Sequence, residues 1–218
     1  MKIRLDAVEE RIQRAVQCCG RRRSDVLLIA VTKVFPASMI RQAYELGLRE
    51  FGENYVQEFQ GKAAQVSDLT GARFHLIGHL QSNKSKIASD LFDVIQTVDT
   101  AKLAQRLDAA GKPLDVFLEV KLSAEDSKSG TLPSGLPGLI SGVKQCANLR
   151  LTGLMTMPPW SDDAEPSRPY FRQLCLLAKQ HNRPSLSMGM SHDFEVAIEE
   201  GATHIRVGTA LFGRRKKP

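Results

Sequence analysis

One feature limits the fold more than any other: the chain alternates between two hydrophobic patterns. Short apolar, β-rich runs recur at 26–31, 48–51, 73–77, 94–98, 114–120, 149–154, 185–188 and 204–207. Stretches with apolar residues three and four apart lie between them, the spacing of one helix face. Leu5, Val8, Ile12, Ala15 and Val16 form such a face ahead of the first run. Ile40, Ala43, Tyr44 and Leu46 form another, closed by Gly47. Thr100 is placed to cap a helix through Leu103, Ala104, Leu107 and Ala110, with Gly111 ending it. Leu139, Ile140, Val143 and Cys146 make the next stripe, and Tyr170, Phe171, Leu174, Leu177 and Ala178 the one after. Ser191 precedes Phe194, Ala197 and Ile198, with Gly201 at the end. Eight strands alternating with helices predict a (β/α)₈ barrel of the α/β class with an extra N-terminal helix, one domain over residues 1–218. A doubly wound sheet is the competing architecture. It lacks its glycine-rich fingerprint after the first strand.

Composition narrows the class. The 218 residues are 42% hydrophobic and 25% charged, the balance of a globular protein. No window is apolar enough to span a membrane. Charges at Lys2, Arg4, Asp6, Glu9 and Glu10 interrupt any leader-like stretch, so the expected location is the cytoplasm. The net charge of +6 is local. Arg21, Arg22 and Arg23 supply three charges, and Arg214, Arg215, Lys216 and Lys217 supply four; the remainder carries −1. These runs read as a solvated turn and a solvated tail, with a weak polyanion contact as the alternative. A nucleic-acid binder would interleave stacking aromatics, which are only 6% here. Cys18, Cys19, Cys146 and Cys175 show no zinc or disulfide spacing and read as small buried hydrophobes.

A barrel of this kind carries its chemistry at the C-terminal ends of its strands. Lys33 ends the first apolar run. There it either points an amine, freed by desolvation, into the mouth to form a Schiff base, or it snorkels to solvent. Glu53-Asn54-Tyr55 follows the second run and His79-Leu80-Gln81-Ser82-Asn83-Lys84 the third. Asn83 is placed to cap the following helix. His75 lies within a strand and reads as a core histidine. No second His or Cys stands at metal-ligand spacing. Ser187-Met188-Gly189-Met190-Ser191 and Arg206-Val207-Gly208-Thr209 close the last two strands. Their small residues leave N–H groups open to cradle a phosphate; two ordinary tight turns are the alternative. A Schiff-base lysine facing a phosphate cup suggests pyridoxal 5'-phosphate. Arg206 would then meet the pyridine nitrogen and, as a permanent cation, keep it unprotonated.

These residues resemble the pyridoxal phosphate homeostasis protein family. The likeness rests on Ala30-Val31-Thr32-Lys33, Phe51-Gly52-Glu53-Asn54-Tyr55, Phe74-His75-Leu76-Ile77-Gly78-His79-Leu80-Gln81-Ser82-Asn83-Lys84, Glu125-Asp126-Ser127-Lys128-Ser129-Gly130, Gly153-Leu154-Met155-Thr156-Met157, Leu186-Ser187-Met188-Gly189-Met190-Ser191 and Val207-Gly208-Thr209-Ala210-Leu211-Phe212-Gly213. It implies a barrel like the N-terminal domain of alanine racemase, with pyridoxal 5'-phosphate on Lys33. It implies phosphate contacts from Ser191, Gly208 and Thr209, a pyridine contact from Arg206 and Asn54 near the cofactor. It also implies a non-catalytic carrier in vitamin B6 balance, with pyridoxal-phosphate-dependent apo-enzymes as possible recipients. Phe35 stands where relatives often carry a second lysine, Lys121 where asparagine is common and Arg73 where an aromatic is frequent. Lys84 and Lys128 are secondary candidate acceptors. The alternative is a weak amino-acid racemase. In the resembling racemases a tyrosine from a further C-terminal domain supplies the second base. No such domain is expected here, Tyr44, Tyr55 and Tyr170 fall in helical patterns, and a monomer is the expected state.

Overall fold

The computed structural model describes residues 1–123, 125 and 129–213. Its strands are β1 (Leu27–Val31), β2 (Glu50–Glu53), β3 (Arg73–Leu76), β4 (Val94–Val98), β5 (Leu114–Glu119), β6 (Leu149–Met155), β7 (Ser185–Met190) and β8 (His204–Val207). They form a closed barrel in chain order, every neighbouring pair parallel. Closure comes from β1 against β8, in a register running from Leu27↔His204 to Ala30↔Val207. The helices are α1 (Lys2–Cys18), α2 (Ala37–Glu45), α3 (Val56–Ala63), α4 (Ser85–Leu91), α5 (Ala101–Asp108), α6 (Leu136–Lys144), α7 (Arg168–Gln180), α8 (Phe194–Glu199) and α9 (Thr209–Phe212). This is the (β/α)₈ barrel with an added N-terminal helix.

The alternation seen in the sequence is the two-sidedness of each strand. One face packs outward against the helices, where Leu28, Ala30, Phe51, Leu76, Ile95, Leu118 and Ile205 join a continuous core. The other faces the barrel lumen, where Val94, Phe117 and Met155 form a separate small apolar cluster. All five residues expected on the first helical face are buried. Helix α1 packs on α8 and α9. Arg11 fixes that seam, forking onto Glu195 at 2.8 and 2.6 Å and lying over the Phe194 ring.

Several expectations need correction. The second strand lies at Glu50–Glu53, not 48–51. Two carboxylates disguise it, and both find partners inside the fold: Glu50 meets His75, and Glu53 accepts from Thr32 and Lys62 at Oε1. Asn83 caps nothing. It sits in a 3₁₀ turn, Ser82–Lys84, ahead of α4. Asp193 stands at the N-cap position of α8 and accepts the Met190 amide at 2.6 Å. Thr100 does cap α5, accepting the Leu103 amide.

The arginine run is not simply a solvated turn. Arg21 donates to the Ile198 carbonyl, and Arg23 forks onto Glu9 at 2.7 and 2.8 Å, while Arg22 is exposed. None of the cysteines is fully buried, and Cys18 is exposed; all four are free thiols. The basic tail at 214–217 and Lys128 lie outside the described residues. Among the described residues, no helix is long and apolar enough to cross a membrane.

Candidate functional site

The C-terminal ends of β1, β2, β7 and β8 surround a cavity of about 500 Å³. Lys33, Asn54, Ser191, Arg206, Gly208 and Thr209 all line it, together with Val31, Ile77, Met157, Trp160, Met190, His192 and Ala210. The six residues singled out in the sequence therefore share one space. A larger cavity, about 960 Å³, is bounded by α7, α8 and the residues leading into β7, with Cys175, Leu176 and Gly201 among its walls. It takes no residue from the C-terminal strand ends.

Local backbone explains the cup. Gly189 has φ +87°, and a Cβ there would stand 2.5 Å from the Ala197 Cβ and 2.9 Å from the Phe194 Cα. Only glycine lets the end of β7 approach α8 this closely. Ser191 then reaches across to β8. Its Oγ accepts the Gly208 amide at 3.1 Å and the Ala210 amide at 3.4 Å. Both N–H groups are thus given to the Ser191 oxygen, whose own O–H is left to donate beside Thr209, where a phosphate oxygen would fit. Gly78 performs a similar service for Asn54: a Cβ at Gly78 would lie 2.3 Å from the Asn54 carbonyl oxygen.

Arg206 is 3% exposed. It donates to the Thr156 carbonyl at 2.9 Å and to Ser187 Oγ at 2.7 Å. The second bond starts a chain through the lumen. Ser187 donates to Gln96 Oε1 at 2.6 Å, Gln96 Nε2 meets His75 Nδ1 at 2.9 Å, and His75 Nε2 meets Glu50 Oε2 at 2.5 Å. The amide NH₂ of Gln96 only donates, so His75 accepts at Nδ1 and carries its proton on Nε2, facing Glu50. His75 is thus a core histidine, with a role in orienting Arg206. Burial lowers the Arg206 guanidinium to about 10, opposed by the negative charges of Asp193 and Glu119. It remains a cation at neutral pH.

Lys33 follows β1 in a tight turn. The Phe35 amide donates to the Thr32 carbonyl at 3.1 Å, and Val34 between them has φ +61°. A β-branched residue in the left-handed region is strained. Lys33 itself is half-buried at the cavity wall.

Glu119, at the end of β5, was not singled out from the sequence. It is 3% exposed, and its Oε2 has no hydrogen-bond partner. Burial, reinforced by the charge of Asp99, raises its carboxyl to about 7, against the pull of Arg206. A charged residue closing the run Val116-Phe117-Leu118 was the available signal. Trp160 and His192 were also missed; their rings meet at a tilt of 49°, centroids 3.9 Å apart, on the cavity rim. Glu119 and His79 line an adjoining space of about 490 Å³, where His79 Nδ1 contacts Ser129 Oγ. Tyr55 is not within a helix. It is exposed, between Asn54 and α3, on the mouth side of β2. Lys84 lies in the turn before α4 and does not line the six-residue cavity. Among the described residues no group of His, Cys, Asp and Glu is arranged to hold a metal.

A closed parallel (β/α)₈ barrel with a lysine just after its first strand, facing a turn of small residues after its last two, defines a class. The family described as alanine racemase, N-terminal domain, matches residues 3–216. Known proteins refine that match. The pyridoxal phosphate homeostasis protein of Pseudomonas aeruginosa is 46% identical over 95% of this chain and 93% of its own. That of Aquifex aeolicus is 42% identical over 98% and 97%. The structure of PipY from Synechococcus elongatus with pyridoxal phosphate bound superposes with a TM-score of 0.82 at 39% identity, covering 93% of this chain and 100% of PipY. Alanine racemase from Corynebacterium glutamicum shares the fold, with a TM-score of 0.69 at 18% identity over 97% of this chain and 61% of the racemase. The chain belongs to the pyridoxal phosphate homeostasis protein family, within the alanine racemase N-terminal domain fold.

Proposed function

We propose that this protein holds pyridoxal 5'-phosphate at the barrel mouth and serves intracellular vitamin B6 balance as a carrier rather than as an enzyme. The observation that carries this reading is the single cavity that gathers Lys33, Arg206 and the Ser191–Gly208–Thr209 cup. Lys33 supplies the amine for a Schiff base. Ser191, Gly208 and Thr209 hold the phosphate, Arg206 meets the pyridine nitrogen and Asn54 stands beside the ring. When bound, the cofactor supplies an aldehyde for amine chemistry and a ring that can accept electrons. Arg206 limits the second property because a buried guanidinium donates a hydrogen bond and does not give up its proton. The names of the relatives, which describe homeostasis rather than a reaction, support the carrier reading. Delivery to pyridoxal-phosphate-dependent apo-enzymes in the cytoplasm, from a monomer, belongs to the same proposal.

The test is the visible spectrum of the purified protein, then borohydride reduction and peptide mass mapping. We expect a Schiff-base band that reduction fixes on Lys33 and that Lys33→Ala abolishes. Absence of the band after adding the cofactor sinks the proposal. A racemase assay on the loaded protein separates carrier from enzyme: turnover of an amino acid would make it an enzyme.

A further inference from the structure

The turn that presents Lys33 is gripped from behind by α3. With the Phe35 amide on the Thr32 carbonyl, residues 32–35 form a β-turn with Lys33 and Val34 at its corners. The second corner has φ +61°, a position that usually needs glycine or asparagine. Left to itself, valine there opposes the turn. Three bonds compensate. Lys62 Nζ donates to the Thr32 carbonyl at 3.3 Å and to the Phe35 carbonyl at 3.1 Å, and Glu58 Oε1 accepts the Val34 amide at 2.6 Å. Lys62 is itself fixed by Glu58 at 2.7 Å and by Glu53 at 2.8 Å. It is only 7% exposed, so its ammonium is committed to these partners. The same Glu53 oxygen accepts the Thr32 hydroxyl at 2.7 Å. Neither Lys62 nor Glu58 lines the cavity.

We propose that Lys62 and Glu58 are positioning residues for Lys33. They stabilise a strained turn, and the strained turn aims the Lys33 amine into the cavity. The role is distinct from cofactor contact: it sets how well Lys33 reaches the aldehyde and leaves the phosphate cup unchanged. It rests on the reading of Lys33 as the cofactor anchor.

Two readouts keep the failures apart. The first uses protein without cofactor. Amide exchange at Val34, followed by NMR, should accelerate by roughly ten-fold or more in Glu58→Ala. Unchanged exchange would overturn the grip. The second compares total pyridoxal phosphate bound, by equilibrium dialysis, with the fraction that borohydride fixes on Lys33. In Glu58→Ala the total should stay within about two-fold, while the fixed fraction falls roughly five-fold or more. The double variant Lys62→Met with Glu53→Gln should do the same without leaving a buried carboxylate alone. Adding Val34→Gly to Glu58→Ala should restore the fixed fraction, because glycine adopts φ +61° without strain. A parallel fall of both quantities, or no rescue by Val34→Gly, would overturn the proposal. If the wild-type protein fixes nothing on Lys33, the carrier reading fails, and the exchange measurement still decides whether α3 holds the turn.

Discussion

The two cations of the mouth are supported in opposite ways. Behind Lys33 lies a cluster of charges: one buried ammonium, Lys62, between the carboxylates of Glu53 and Glu58. Behind Arg206 lies a chain in which Ser187, Gln96 and His75 link the guanidinium, through neutral groups, to Glu50. The first arrangement grips a backbone turn that would otherwise relax. The second gives direction, since every donor and acceptor from Arg206 to Glu50 has one assignable role. Charged support resists strain, but it leaves a large unpaired cost when one member is lost. Neutral support costs less to break and depends more on orientation.

The largest expected effect breaks the charged side. Lys62→Met leaves Glu53 buried, with Oε2 already lacking a partner. Burial, with the charge of Glu58, raises the Glu53 carboxyl, and the missing ammonium removes its chief counterweight. The loss of stability should be about 3–5 kcal/mol by urea denaturation. Adding Glu53→Gln should recover much of it. A loss under about 1 kcal/mol would show that the cluster is not charged in the way described.

Titration sharpens the contrast, because burial displaces the titration of two groups near Arg206 in opposite directions. Glu119 is raised from 4.5 to about 7, so the folded state retains its proton where the unfolded chain has lost it. Its contribution is complete below pH 4.5 and disappears as pH rises through 7. His204 is lowered from 6.5 to about 4 by burial and by His75, so its contribution is complete above pH 6.5 and disappears as pH falls through 4. Between pH 4.5 and 6.5 the two slopes oppose each other at about 1.4 kcal/mol per pH unit each. Relative to Glu119→Gln, the wild-type protein should lose up to about 3 kcal/mol between pH 4.5 and 7. Relative to His204→Asn it should gain stability over pH 4 to 6.5. Stability curves for the two variants that run parallel to wild type would refute this assignment.

A smaller effect follows from breaking the neutral chain. Gln96→Leu strands Ser187 and His75 in the lumen and should cost roughly 1–3 kcal/mol. Arg206 then loses its directional partner while keeping the Thr156 carbonyl. Cofactor binding should weaken while the fraction fixed on Lys33 stays high, the reverse of the α3 variants. Equal behaviour of Gln96→Leu and Glu58→Ala would erase the distinction between the two supports.

The barrel was legible because each strand is apolar on its outer face, whatever its inner face carries. The ends of β4 and β8 match the apolar runs residue for residue. Strand β2 was displaced because Glu50 and Glu53 resemble loop residues until their partners on other elements, His75, Thr32 and Lys62, are known. The six candidate site residues came together because each stands at or just after a strand end, where the closed barrel brings such residues to one mouth. Lys62 was invisible for the opposite reason. In sequence it is an ordinary helix lysine, and only the packing of α3 behind β1 and β2 makes it a buried cation. Trp160 stayed hidden in a loop for the same cause. Arg21 and Arg23 looked solvated because their acceptors, the Ile198 carbonyl and Glu9, come from α8 and α1.

The smallest expected effect concerns a third kind of support, the backbone. In the cup, the Gly208 and Ala210 amides converge on the Ser191 hydroxyl, and Arg11 steadies Ser191 from behind by donating to its carbonyl at 3.2 Å. Thr209 adds one exposed hydroxyl at the cavity edge. Thr209→Val removes that donor and keeps the peptide N–H groups and the branched shape. A partly solvated hydrogen bond to an anion is worth roughly 1 kcal/mol, so cofactor retention in dialysis should fall about five-fold. Thr209→Ser, which keeps a hydroxyl, should stay near wild type. The attachment to Lys33 should be unaffected once the cofactor is bound, since the turn at 32–35 is held from α3. If Thr209→Val retains cofactor as well as wild type, the backbone amides and Ser191 suffice for the phosphate. The cup then grips the phosphate without the Thr209 side chain.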